Sequence, residues 1–220
     1  MNEKANKYFF DQLLIDPVYE PEPTVIPAVW EFSYRFNSLY RYWINVKSVT
    51  QLHVSMLESV KPDGSAEFED VFSETAGVDI EFMPNYLRLS TISFALAIVE
   101  NLLSDLSVWA AGLQGKEVRL PAGKMPYINK YLAWLIKDCG LNYRIDSTLM
   151  ESLDALRKLR NGFLHKLSRD VPQELSFALS QVLADISDDA NPVTDELVER
   201  SFERLADFVK SVELACEELA

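Results

Sequence analysis

The chain has 220 residues, 48% hydrophobic and 25% charged, with 7 glycines and a formal net charge of -13. These proportions suit one folded domain with extensions and exclude wholesale disorder. So acidic a surface repels phosphate backbones, which excludes a general nucleic-acid coat protein but leaves room for a small local basic patch. The two cysteines, Cys139 and Cys216, form no CxxC pair. The sequence therefore indicates no disulfide framework, zinc site or other metal centre, and reduced cysteines suit a cytoplasmic protein. The N-terminus lacks the basic-then-apolar order of a signal peptide.

In chain order, residues 1–15 read as a short helix with Tyr8, Phe9, Leu13 and Leu14 as docking residues. Pro17, Pro21, Pro23 and Pro27 then forbid regular structure, so 16–27 reads as an extended connector. Residues 1–27 are thus an N-terminal extension, and 28–220 a single all-α domain with its core at about 84–220. From Ala28 to Val60 a run without Gly or Pro repeats Phe32, Phe36, Leu39, Trp43 and Val46 at helical spacing. Its aromatics read as core or an interface, with stacking on RNA bases as the other reading. His53, one of only two histidines, reads as a packed or capping residue. Residues 61–83, with Pro62, Gly64, Gly77 and a run of acids, predict an exposed loop with room for one helical turn.

A long helix is expected from Pro84 to about Gly112, apolar all round and therefore buried all round; Glu100 and Asp105 argue for a core helix over a membrane span. A loop over 113–126 leads to a helix ending near Asp138, stopped at Gly140. Asp146 or Ser147 caps the next helix, residues 147–169. Pro172 opens another helix, Asn191-Pro192 marks a turn, and Thr194 or Asp195 starts a final helix reaching close to Ala220. The expected architecture is an all-α helical bundle with an additional aromatic N-terminal helix.

Within 147–169, about 100° per residue puts Leu149, Leu153, Leu156, Phe163 and Leu167 on one face, with Arg160 in the middle of it. A buried arginine needs a partner, because removing an ion from water costs several kcal/mol, roughly, even after relaxation. Glu100 is the only charged residue between Arg88 and Asp105, and two misplaced charges of opposite sign satisfy one another. Asn161 and His165, four apart, share a separate and more accessible face. Arg157, Lys158, Arg160, Lys166 and Arg169 form a basic run with no acid inside it. Such a run can supply phosphate contacts, chiefly through Arg157, Lys158, Lys166 and Arg169.

Arg160-Asn161-Gly162-Phe163-Leu164-His165 resembles the RxxxxH signature of the HEPN superfamily, in the variant with Asn directly after Arg. The helix around Ala97-Ile98-Val99-Glu100-Asn101-Leu102-Leu103 resembles the partner helix found in many members. The resemblance covers the motif and a helical context over about 84–220. It implies a four- to five-helix bundle, a homodimer that brings two motifs together around a cleft, and metal-independent RNA cleavage without a cofactor. The settings are toxin–antitoxin, phage-defence or RNA-processing systems, with an antitoxin or regulatory protein as a possible further partner. By carry-over Arg160 and His165 are catalytic, with Asn161 and Glu100 supporting them. The chemistry fits, since RNA carries its own 2′-hydroxyl nucleophile, His165 can move a proton near neutral pH, and Arg160 can bind phosphate oxygens. Two alternatives stand beside this: a non-catalytic bundle that dimerises or binds a partner, which the net acidity favours, and a nucleotide-binding regulator that holds a phosphate without cutting RNA.

Overall fold

The computed structural model describes residues 15–23, 26–60, 64–144, 146–166, 179 and 193–219. Among these the chain is all-α, with no strand. Helix α1 is Pro27–Glu58, α2 is Ala66–Phe72, and a π turn over Ser73–Gly77 joins α2 to α3, Val78–Gln114. Helices α4 (Tyr127–Asp138), α5 (Ser147–Lys166) and α6 (Asp195–Glu217) follow. The central element is α3, which packs against α1, α4, α5 and α6. The expected elements at 1–14, Pro172 and Asn191-Pro192 lie outside the described residues.

Local chemistry sets the helix ends. Pro27 occupies the first turn of α1, where an amide hydrogen would lack an intrahelical partner anyway. Asp146 Oδ1 accepts from the backbone N–H groups of Thr148 (2.8 Å) and Leu149 (3.3 Å), capping α5. Thr194 caps α6 by accepting from Leu197 N at 3.1 Å, with Asp195 and Glu196 at the positive end of the helix dipole. Gly115 ends α3 in the left-handed conformation (φ 63°), and Lys116 N donates back to Ala111 O at 2.9 Å.

Three expectations need correction. The acidic stretch 61–83 is not a loop from residue 66 onward. Ser65 Oγ accepts from Phe68 N at 3.1 Å, and Glu67 and Glu69 sit in the first turn, where the dipole favours negative charge. Pro84 accordingly lies inside α3 and does not open it; proline removes one hydrogen bond there without ending the helix. Nor is α3 buried all round. Leu96, Val99, Leu103 and Leu106 are fully buried, but Phe94 and Val108 are each 62% exposed. By length and composition α3 could cross a membrane, and half of its most apolar window is buried in the bundle.

The proline-rich connector has a definite seat. Asn37, buried on α1, accepts from the backbone N–H groups of Val18 (3.0 Å) and Tyr19 (3.1 Å) and donates to Tyr19 O at 2.7 Å. The Tyr19 hydroxyl donates to Glu213 Oε2 on α6 at 2.6 Å, and Glu22 N donates to Glu213 Oε1 at 3.1 Å. Glu213 is only 1% exposed, and both of its oxygens accept hydrogen bonds there, with Lys210 Nζ 3.6 Å from Oε2. A ladder of rings (Tyr19 on Phe32, Phe32 on Phe36, Phe36 on Phe202) continues the contact into the core. The aromatics Phe32, Phe36 and Trp43 are therefore core residues.

Candidate functional site

Helix α5 buries Leu149, Leu153, Leu156 and Leu159. Arg160 follows on the same side, and its Nη1 donates to Glu100 Oε2 on α3 at 3.1 Å. The ion pair that the two helix registers call for is thus present. Its side chains are 17% and 22% exposed, neither sealed from solvent nor free in it. Glu100 holds Arg160 through this single hydrogen bond. The Arg160 Nε is buried and has no partner among the described residues. The guanidinium therefore keeps donor capacity beyond its contact with Glu100, so a fixed Arg160 can still engage an anion.

Asn161 is half-buried, next to Arg160 on α5. The backbone of His165 lies in the last turn of the same helix. Its side chain, that of Lys166, and Arg169 lie outside the described residues. At about 100° per residue, Asn161 shares the flank that also carries Met150, Asp154 and Lys158. That flank borders a groove of about 650 Å³ between α5 and the start of α4. Its walls include Asn129, Thr148, Glu151, Asp154, Arg157 and Lys158.

Arg157 and Lys158 are not free cations. Both contact Asp154, through Arg157 Nη2 (2.6 Å) and Nε (3.0 Å) to Oδ1 and through Lys158 Nζ to Oδ2 (2.9 Å). Burial pushes the Asp154 carboxyl up, but the hydrogen bonds from Lys158 and Arg157 outweigh it and hold it below its ordinary range. All three groups keep substantial solvent contact, so these pairs are weak and exchangeable. A phosphate entering the groove meets two cations already shared with one carboxylate. The basic run counted from Arg157 leaves out Asp154, although its offsets of three and four residues are the helical spacing at which such pairs form. The α4 wall of the groove had no sequence signal, since Asn129 is an ordinary helix residue until α4 is docked.

Other charged groups cluster at the start of α6. Asp195 accepts from Arg88 Nε at 2.6 Å and Gln51 Nε2 at 3.1 Å, while Lys47 pairs with Glu199 at 2.6 Å. These contacts tie α1 and α3 to α6. No group of three or more potential metal ligands occurs among the described residues. His53 is half-exposed on the far half of α1.

No family model, no curated protein and no solved structure matches this chain.

Proposed function

We propose that this chain is a metal-independent endoribonuclease of the HEPN type, acting as a homodimer in the cytoplasm. The observation that carries the reading is Arg160 itself: a core-helix arginine fixed by Glu100 through one hydrogen bond, with donor capacity left over, on a helix whose Asp154, Arg157 and Lys158 line a groove. A preorganised guanidinium is what a phosphate gaining charge in a transition state requires, since no reorganisation is then needed during reaction. In this reading His165 takes the proton from an RNA 2′-hydroxyl. The 2′-oxygen attacks the adjacent phosphorus, the bond to the 5′-oxygen breaks, and that oxygen leaves with a proton. The products are a 2′,3′-cyclic phosphate and a 5′-hydroxyl. Arg160 neutralises charge on the non-bridging oxygens and Asn161 orients the histidine or a phosphate oxygen. Arg157, Lys158, Lys166 and Arg169 guide the strand to the groove.

A second reading, a non-catalytic partner-binding bundle such as an antitoxin-like or regulatory subunit, is favoured by one specific observation. Asp154 occupies both Arg157 and Lys158, which lowers the positive potential where RNA would arrive. The two readings part on one comparison, RNA against the same sequence with 2′-O-methyl groups. The ribonuclease reading expects both to bind and only the unmethylated strand to be cut. Neither strand bound nor cut would favour the partner-binding reading, and cleavage of both would remove the 2′-hydroxyl mechanism.

A further inference from the structure

The corner where α1 gives way to α2 exposes apolar side chains to an unusual degree. Leu52 and Met56 on the last turns of α1 are each 62% exposed, Val71 on α2 is 57% exposed, and Val60 and Val78 are also open. Among the described elements, helix α2 packs chiefly against the π turn that follows it. Patches of this kind on a folded protein mark interaction surfaces more often than chance. The same segment carries Glu67, Glu69, Asp70, Glu74 and Asp79, all exposed and none in an ion pair among the described residues. No lysine or arginine occurs between residues 64 and 87.

This combination selects among occupants. Nucleic acid is repelled by five carboxylates that have no ion pair among the described residues. A second copy would bring the same carboxylates against them, within a chain of net charge -13. A helix with an apolar stripe and basic flanks satisfies both features at once, covering the valines and methionine while its cations meet the acids. We propose that this corner is a docking surface for a basic amphipathic helix of a partner protein. It uses the end of α1, α2, the π turn and the first residues of α3, and shares no residue with the nuclease reading, so either can fail without the other.

The test is fluorescence anisotropy with the full-length chain at physiological salt. The probe is a labelled synthetic helix with leucines along one face and lysines on the others. One control replaces its leucines with serine and another its lysines with glutamate. The expected result is that the leucine–lysine helix binds roughly tenfold or more tightly than either control, a gap of about 1.4 kcal/mol. Val71→Ser with Val78→Ser should weaken it about fivefold, and Glu69→Gln with Glu74→Gln should weaken it and flatten its salt dependence. These positions are exposed, and unchanged thermal melts would show that the variants fold. Equal binding of the serine control would reduce the effect to bulk acidity and overturn the proposal. So would binding indifferent to the four substitutions. A native dimer lost in the valine variant would make a second copy the occupant, and displacement by a single-stranded oligonucleotide would make it nucleic acid; each overturns the proposal.

Discussion

Arg160 and Glu100, sixty residues apart in sequence, meet at 3.1 Å between the two helices that form the middle of the bundle. Each charge alone would be a misfit on an apolar helix; together they tie α5 to α3. Removing one partner strands the other in a largely buried position. Glu100→Ala should therefore cost about 2 kcal/mol, below the 3–5 kcal/mol typical of fully buried pairs because both groups touch solvent. The paired replacement Arg160→Met with Glu100→Leu should recover most of the loss. Urea unfolding of the three variants checks this, and an Glu100→Ala cost near zero would mean that the pair does not anchor α5.

Asp154 holds both Arg157 and Lys158, so a phosphate would have to compete with its carboxylate for them. Asp154→Asn should raise affinity for single-stranded RNA severalfold and steepen its salt dependence by about one to two phosphate contacts. The carboxyl is held below its ordinary value near 3.8. Its contribution to stability is thus present above that value and lost as pH falls through the lower folded-state value. Acid titration should therefore loosen the Asp154 contacts only below about pH 4, as amide exchange along α5 would report.

The N-terminal strap depends on two buried polar residues. Asn37→Ala deletes three hydrogen bonds to strap backbone and should cost about 2–3 kcal/mol. Tyr19→Phe leaves one oxygen of Glu213 without its hydroxyl and should cost about 1–2 kcal/mol. Limited proteolysis should cut both variants near residue 20 faster than the native chain. Equal cutting rates would show that the strap is held by its ring contacts alone.

Alkaline pH tests the same seat. Burial, then the hydrogen bond to Glu213, push the Tyr19 hydroxyl far above its ordinary value of 10.0. The unfolded chain then loses that proton before the folded one does, so stability falls as pH rises above about 10. Lys210 acts in the same direction. Burial lowers its pKa, but Glu22 and Glu213 raise it further, so its contribution is lost as pH climbs past 10.5. Tyr19→Phe should flatten this decline in chemical unfolding between about pH 10 and 11. An unchanged slope would place the alkaline sensitivity elsewhere.

Cys216 is fully buried, and burial, followed by Cys139 and Glu213, pushes its thiol up to about 12. Cys139 is also buried and shifted upward, again chiefly by burial. Both thiols should resist a thiol-reactive dye in the native protein and react fully in denaturant. Fast labelling of either in the native state would contradict this packing.

The sequence was most readable where one residue violated a strong local pattern. Arg160 and Glu100 interrupt apolar registers, so the sequence alone points to their partnership. Glu213 breaks the apolar face of α6 in the same way, but its partners Tyr19 and Glu22 lie in a segment without periodicity, and no register links them. The acidic run after residue 66 looked like a solvated loop because composition does not reveal that Ser65 caps a helix. The exposed side of α3 was hidden for a different reason. An apolar surface reads alike in sequence whether it is covered by the chain or left open, and Phe94 and Val108 are left open. At the candidate site, the α5 contribution was legible at helical spacing, whereas the α4 wall depends on how α4 docks on α3.

The central claim is that Arg160 and His165 cut RNA. Its most direct test is single-turnover cleavage of a labelled RNA in excess EDTA, comparing the native chain with His165→Ala and Arg160→Lys and identifying the product ends. The account predicts a 2′,3′-cyclic phosphate from the native chain and a loss of at least roughly a hundredfold in rate for each variant. Undiminished cleavage by His165→Ala, or no cleavage by the native chain across structured and unstructured RNAs, would contradict it.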